Sequence, residues 1–206
     1  MSRIRIATMA LAGALAFGLA ATAVSKARAA DPALAYTPDG KMLFPKDYRT
    51  WVYLSTGVDM SYSDAPGGGD THLFDSVFVN RSAYDAYQKT GTWPDKTVMV
   101  LEVRKGAGKG SINKKGQYQT DKLGAEVHVK DVARFKSGWA FFPFANGEAP
   151  ATALPQTSGC NVCHEQHGAV DTTFVQFYPT LIGKAQEMKT MSAAYLTEAK
   201  AAGEVK

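Results

Sequence analysis

The sequence predicts an α+β fold in which an antiparallel β-sheet dominates, with short helices and a helical segment toward the C-terminus. Five stretches are rich in aromatic and β-branched residues and are separated by clusters of Gly, Asp and Lys, which is typical of strands and their turns. Several of these stretches alternate between two faces, as half-buried strands do. Helical spacing occurs mainly in one short internal stretch and near the C-terminus. We find no internal repeat, so a single domain is predicted.

The N-terminus has the features of a secretory signal peptide, which we place at residues 1–29. Two arginines precede an apolar run at residues 6–24, and residues 27–29 provide small side chains at both positions of a cleavage site. A membrane anchor is the alternative, because the run is about long enough to span a bilayer. The cleavage pattern favours removal, so we expect a periplasmic mature domain, residues 30–206, that is not held in the membrane.

The basic character of the chain belongs to this leader. The formal net charge is +4, and the first 29 residues contain four basic residues and no acidic residue. The predicted mature domain is therefore formally neutral and gives no electrostatic reason to bind nucleic acid. It is also large enough to bury a core of its own.

Strands are predicted at residues 48–56, 72–79, 97–104, 118–129 and 138–144. The third is the clearest, because Met99, Leu101 and Val103 alternate onto one face. In the second, the same alternation places His72 and Phe74 together. The fourth is expected to have an irregular middle.

One helix has signals at both of its ends. Asn80 is a suitable N-cap for a helix at residues 81–90, and Gly91 is suited to end it. Shorter helical segments are predicted at residues 131–135 and 172–178. Residues 185–202 are rich in Ala, Lys, Glu and Met and predict a longer helix, which could form an exposed tail within residues 185–206.

The pattern C-x-x-C-H, formed by Cys160, Cys163 and His164, uses both cysteines of the chain. Two thiols three positions apart can each form a thioether with a vinyl group of haem, and the next histidine can bind the iron. We therefore predict one covalent haem c, attached through Cys160 and Cys163, with His164 as the proximal ligand of the metal.

Three other interpretations of the cysteine pair remain open. A redox disulfide normally lies where a strand enters a helix, whereas this pair follows a loop rich in Gly, Ala and Pro. A zinc site needs four Cys or His ligands, and no second paired motif is present among His72, His128 and His167. A structural disulfide would close too short a loop to add much stability.

The common small cytochromes c are excluded, because they are helical, carry the motif near the N-terminus and provide a downstream methionine ligand. Here Met188 and Met191 lie in a polar predicted helix, so neither is expected to bind the iron. The helical-bundle cytochromes c′ also carry the motif late, but their sequences have helical patterns throughout.

The sequence resembles the cytochrome P-460 family, which includes the cytochromes c′-β, from about Leu43 to about Leu181. The residues that carry the resemblance, besides the haem motif, are FPKDYRTWV at residues 44–52, VFVN at 77–80, Thr90-Gly91, Glu126, Val129-Lys130-Asp131, Arg134-Phe135, Trp139-Ala140-Phe141, Phe174 and Phe177-Tyr178-Pro179. The resemblance implies a β-sheet fold, a homodimer, one haem c and an open sixth coordination position.

The resemblance also implies an activity, and at one position this chain differs from the family members that have it. Named members of the family oxidise hydroxylamine or bind nitric oxide and carbon monoxide. In the hydroxylamine oxidisers a lysine is cross-linked to the haem ring, and in this chain Leu101 occupies the matching position. Because leucine has no nucleophilic nitrogen, we expect no such cross-link through Leu101.

Two polar residues are implied to lie near the iron. Glu126 matches a distal carboxylate that relays protons in the hydroxylamine oxidisers, and a desolvated glutamate with a raised pKa can accept protons. The alternative for Glu126 is a solvated position on a strand. His72 lies on a segment that borders the distal pocket in the family. There it could bind the iron, or donate a hydrogen bond to a gas bound at the iron. The alternative is a histidine with only local hydrogen bonds.

Phe74, Met99 and Leu101 are expected to make the distal pocket apolar, although simple core packing also accounts for Met99. An apolar pocket favours neutral diatomic ligands and excludes water. No role is predicted for His128 or His167.

These inferences support three functions. The first is a periplasmic monohaem protein whose open distal site binds nitric oxide or a similar small ligand, without the lysine cross-link. The second is an enzyme that oxidises hydroxylamine or a related nitrogen compound, with Glu126 as the proton relay. The third is a six-coordinate electron carrier, with His72 as the sixth ligand and a periplasmic redox partner.

Overall fold

The computed structural model describes residues 34–62, 72–145 and 148–204. Within these ranges five antiparallel strands form one sheet, in the order β1-β2-β3-β4-β5. The strands are β1 (Val52–Val58), β2 (Leu73–Val79), β3 (Val98–Ala107), β4 (Tyr118–Lys130) and β5 (Trp139–Phe144). The helices are α1 (Arg81–Thr90), α2 (Gly159–His167), α3 (Ile182–Met188) and α4 (Ala193–Ala201). The predicted α+β fold with a dominant antiparallel sheet is confirmed.

The first strand starts later than its aromatic residues suggest. Tyr48–Thr50 forms a 3₁₀ turn, in which the Trp51 amide donates to the Tyr48 carbonyl at 3.0 Å. The Tyr48 hydroxyl donates to the buried carboxylate of Glu102 on β3. Tyr48 thus packs as an anchor on the sheet and is not part of strand β1.

Helix α1 has the bounds that its end signals predict, but Asn80 does not cap it through its side chain. The Asn80 Oδ1 atom instead accepts a hydrogen bond from the Val98 amide at 2.8 Å, which ties the helix entry to β3. At the other end Gly91 adopts a left-handed conformation with φ of +71°.

Each face of the sheet carries its own apolar core. One core lies where the helices pack and includes Leu54, Val79, Tyr87 and Trp93. The other lies on the opposite face and is built from β3, β4 and β5 together with residues that precede β1, among them Phe44. Alternate residues of the central strands therefore enter different cores, in agreement with the period of two.

The C-terminal part differs from its prediction. The single helix expected at residues 185–202 is two helices, α3 and α4, because Lys189 ends α3 with φ of +56° and Ser192 caps α4 by accepting from the Tyr195 amide at 3.1 Å. It is also not an exposed tail, since Ala185, Tyr195 and Ala199 are buried in the core that contains Leu54 and Val79. Of the segment predicted as helical at residues 172–178, only Val175–Phe177 forms a 3₁₀ turn.

The predicted signal peptide, residues 1–29, lies outside the described residues. Among the helices that the structure describes, none combines the length and the apolar character needed to cross a membrane.

Candidate functional site

A cavity of about 610 Å³ opens between the sheet and helix α2. Its volume is in the range of small-molecule and cofactor sites. The residues that line it from the sheet and the segment after β1 are Ser55, Thr56, Gly57, Met60, Tyr62, Asp75, Val77, Met99, Leu101, Glu126, His128 and Phe141. Those that line it from α2 and the following segment are Cys160, Cys163, His164, Thr173, Phe174, Phe177 and Tyr178.

Strand register explains how distant residues meet in the sheet wall. Leu101 of β3 pairs with Val77 of β2 on one side and with Glu126 of β4 on the other. One row further along, Met99 of β3 pairs with His128 of β4. Directly paired residues share a face of the sheet, so both rows point their side chains into the cavity.

Helix α2 places the cysteine motif on the opposite wall. Its N-cap is Ser158, whose hydroxyl accepts from the Asn161 amide at 3.4 Å. Residues three and four apart lie on one side of a helix, and Cys160, Cys163 and His164 accordingly all line the cavity. Both cysteines are free thiols. The three motif residues therefore lie where a flat ring placed in the cavity could be attached to them.

The His164 ring is held by a backbone hydrogen bond and by aromatic contacts. Its Nδ1 atom lies 2.8 Å from the carbonyl oxygen of Thr172, so Nδ1 carries the proton and donates it. The ring stacks on Phe174 at 4.0 Å between centroids and meets the edge of Phe141 at 4.6 Å. Burial lowers the pKa of His164, although the hydrogen bond to Thr172 acts in the opposite direction. A neutral imidazole with Nδ1 engaged leaves Nε2 to bind a metal.

Glu126 and Asp75 bring two carboxyl groups to the cavity. The Glu126 side chain is exposed to the open cavity, and the cavity walls around it desolvate it in part. This desolvation raises the pKa of Glu126, and the nearby charge of Asp75 raises it further. Burial likewise raises the pKa of Asp75, with a contribution from the charge of Asp59. Such groups are suited to hold or accept a proton.

His72 and Phe74 do not line this cavity, although both are within the described chain. The β2 residues that do are Asp75 and Val77, which lie on the opposite face of the strand. The His72 Nδ1 atom lies 2.5 Å from the Asp59 carboxylate, and the His72 side chain is 42% exposed. The structure therefore places the expected distal histidine in a local hydrogen bond with Asp59, outside the cavity.

Sequence reasoning missed His128 as a site residue. It is buried beside His164, with 5.3 Å between the ring centroids, and burial lowers the pKa of His128 well below its usual value. The signal was present, because His128 follows Glu126 by two positions on a strand. A period of two places both on one face. Asp75 was missed because the wrong face of β2 was assigned to the pocket.

The residues present fit a haem. Two free thiols and a histidine with a free Nε2 lie on one wall, and Val77, Met99 and Leu101 offer an apolar surface on the other. Zinc receives no such support, since the described part of the chain contains no group of three or more His, Cys, Asp or Glu residues that could hold a metal ion.

Comparison with known families gives one match. A family model described as cytochrome P-460 matches residues 45–175, which is more than half of the chain and covers every strand as well as the C-x-x-C-H motif. A search of curated proteins gave no match.

Proposed function

Since this chain belongs to the cytochrome P-460 family and is therefore a haem-binding cytochrome, we propose that it is an exported c-type monohaem protein whose open iron face binds nitric oxide or a similar small ligand. The observation that carries the proposal is a single cavity that combines the motif residues with a sheet wall that has no lysine among its described lining residues and whose Val77, Met99 and Leu101 are apolar.

The chain's own residues would hold the cofactor from one side. Cys160 and Cys163 would each add a thiol across a vinyl group and so form the two thioethers, while His164 Nε2 would bind the iron. Haem iron supplies a coordination position for a small ligand and a one-electron redox couple. The Thr172 carbonyl keeps the His164 proton on Nδ1 and the ring in one orientation.

The sheet side of the cavity would then control access. Val77, Met99 and Leu101 present carbon and thioether surface, which favours neutral diatomic ligands over water. Leu101 occupies the position at which the resemblance implies a cross-linking lysine, so no bond from Leu101 to the ring is expected.

Absorption spectra of the purified holoprotein test the proposal. We expect a pyridine haemochrome of the c type, a high-spin ferric spectrum and a new spectrum when nitric oxide is added to the ferrous protein. Cys160→Ala together with Cys163→Ala should abolish covalent attachment, and a tryptic digest should show haem only on the α2 peptide. A low-spin ferric protein, or a ferrous protein that does not bind nitric oxide, would overturn the proposal.

A second candidate function is the oxidation of hydroxylamine or a related small nitrogen compound. The observation that favours it is Glu126, which faces the cavity with a raised pKa and could take the protons that such a substrate releases. A steady-state assay with an artificial electron acceptor should then give turnover above that of free haem, and Glu126→Gln should reduce it. An unchanged rate in Glu126→Gln would exclude this role.

The third function, a six-coordinate electron carrier ligated by His72, gains no support from the geometry, because His72 does not line the cavity and its Nδ1 atom is hydrogen-bonded to Asp59. Export, a homodimer and a periplasmic redox partner remain part of the proposal on the basis of the leader and the resemblance. N-terminal sequencing of the exported protein and its sedimentation mass test the first two.

A further inference from the structure

The turn behind His164 is held by two residues of β4. The segment at residues 170–173 is a tight turn, closed by a hydrogen bond from the Thr173 amide to the Val170 carbonyl at 3.0 Å. Asp171 in this turn adopts φ of +53°, a left-handed conformation that aspartate tolerates better than most residues with a side chain. Contacts with the sheet fix the turn further.

His128 and Lys130 provide these contacts from one face of β4. The Lys130 Nζ atom lies 3.1 Å from the Asp171 carboxylate. The His128 Nε2 atom lies 3.3 Å from the Thr172 hydroxyl. Two neighbouring residues of one strand face thus bind two consecutive residues of the turn.

The His128 ring is itself fixed by packing. It stacks on Phe141 at 3.8 Å with an angle of 11° between the rings, and it lies 4.4 Å from Trp139. His128 is only 6% exposed, so its ring cannot move without disturbing β5. A rigid strand residue therefore determines where the Thr172 hydroxyl lies.

Thr172 links His128 to His164 of the motif. Its hydroxyl contacts His128, while its carbonyl accepts the hydrogen bond from His164 Nδ1 at 2.8 Å. We propose that His128 and Lys130 are positioning residues that clamp the turn, and so set the orientation and the electron donation of His164 toward the iron. This inference rests on the proposed role of His164 as the haem ligand.

Loss of the clamp is expected to change the electronic properties of the iron without changing which residues bind it. A firm hydrogen bond from Nδ1 makes an imidazole a stronger electron donor, which stabilises the ferric state. Loosening the Thr172 carbonyl should weaken the donation, lower the iron–histidine stretching frequency and raise the reduction potential.

The experiment compares variants of the holoprotein by resonance Raman spectroscopy and redox titration. Thr172→Val keeps the shape and the carbonyl but removes the hydroxyl, and Thr172→Ser restores it. We expect Thr172→Val to lower the iron–histidine frequency and to favour the ferrous state by up to about tenfold, or about 59 mV for one electron. Thr172→Ser should remain close to the wild type.

Thr120→Val is the matched control. Thr120 is partly buried, as Thr172 is, and its hydroxyl donates to the Lys105 carbonyl at 3.1 Å, on a part of β4 that does not line the cavity. We expect Thr120→Val to lose comparable stability in urea and to leave the frequency and the potential unchanged. Equal shifts in Thr120→Val and Thr172→Val would show a general loss of stability and overturn the proposal.

His128→Phe tests the clamp from the strand side, because phenylalanine preserves the stacking on Phe141 but removes the contact with Thr172. It should shift frequency and potential in the same direction as Thr172→Val, and it serves as the test if Thr172→Val takes up no haem. Unchanged values in a haem-loaded His128→Phe protein would refute the clamp while leaving the proposed function intact. An unaltered iron spectrum in His164→Ala would instead refute the proposed function.

Discussion

Glu126 differs from the acidic residues of this chain that form ion pairs, because its environment favours the protonated carboxyl group. Burial and the charge of Asp75 raise the pKa of Glu126. A carboxyl group whose pKa is higher in the folded state binds its proton more tightly there than in the unfolded chain. Its contribution to stability is therefore complete below the pKa of the unfolded state and is lost as pH rises through the folded value.

We predict that Glu126→Gln raises the free energy of unfolding at pH 7, because it removes a poorly solvated charge. The gain should be well under about 1 kcal/mol, since the side chain is exposed to the cavity and solvent screens its charge. It should disappear near pH 3.5, below the ordinary glutamate pKa of about 4.3, where both states are protonated. Urea unfolding at the two pH values measures it.

Glu165→Gln, at an exposed position of α2, is the control for this prediction and should change stability little at either pH. A loss of stability in Glu126→Gln at pH 7 would show that the ionised carboxylate makes favourable contacts in the folded protein.

At the level of single elements, the end of α1 depends on the conformation of one glycine. Gly91 has φ of +71°, and a Cβ atom built there would lie 2.9 Å from both Met188 Cβ and Thr190 Oγ1. Gly91→Ala should therefore destabilise the protein by more than about 2 kcal/mol, as the left-handed conformation alone costs roughly 1–2 kcal/mol. Denaturant unfolding measures this loss.

A substitution at Gly40 separates the cost of the left-handed conformation from the cost of the steric clash. Gly40 has φ of +83°, but a Cβ atom there would meet nothing within 4 Å. Gly40→Ala should therefore show the conformational cost without the clash. If the two variants lost equal stability, the contact between the end of α1 and the segment after α3 would contribute nothing.

Strand β3 carries a buried charge on the face away from the cavity. Glu102 is 2% exposed and accepts from the Tyr48 hydroxyl, from Arg49 and from Arg104 Nε, the last at 2.7 Å. Burial opposes ionisation, but the hydrogen bonds from Tyr48 and Arg104 and the charges of Arg49 and Arg104 outweigh it and lower the pKa of Glu102. Burial, followed by the hydrogen bond to Glu102, raises the pKa of Tyr48 to about 12.

We predict that Glu102→Gln costs about 1–3 kcal/mol, because it weakens the hydrogen bonds at a buried position and removes the counter-charge of Arg49 and Arg104, whose side chains are 52% and 21% exposed. The lowered pKa means that the contribution of Glu102 is present above the ordinary glutamate pKa and is lost as pH falls through the folded value. The difference between wild type and variant should therefore shrink in acid. Thermal unfolding at several pH values measures it.

The surface pair of Lys46 and Glu148, with 3.2 Å between its charged atoms, is the comparison for Glu102. Both of these side chains are exposed, so Glu148→Gln should cost less than about 1 kcal/mol. Similar losses at the two sites would mean that the Glu102 cluster is accessible to water.

On the scale of the whole molecule, the last helix belongs to the core. Tyr195 of α4 is 8% exposed and is buried with Leu54 and Val79 of the sheet. Tyr195→Ala should destabilise the protein by about 3 kcal/mol, as expected for loss of a large buried side chain. Its neighbour Leu196 is 37% exposed, and Leu196→Ala should cost much less in the same urea titration. Equal effects would mean that α4 is only loosely attached.

Local pattern predicted most of the elements. The five strands were placed within a few residues of their observed ends, because alternation and β-branched composition act over neighbouring residues only. Helix α1 was predicted at both ends because Asn80 and Gly91 are local signals. The division of the C-terminal segment at Lys189 was missed, since the left-handed residue there is a lysine and carries no composition signal.

The sequence alone determined how the motif residues lie relative to one another, because the spacing of Cys160, Cys163 and His164 places the three on one side of a helix. Only the tertiary structure decided what faces it. Alternation shows which residues share a strand face but not which face meets α2, so it could not tell that Asp75 rather than Phe74 enters the cavity. That choice depends on contacts between segments far apart in the chain, which no local pattern contains.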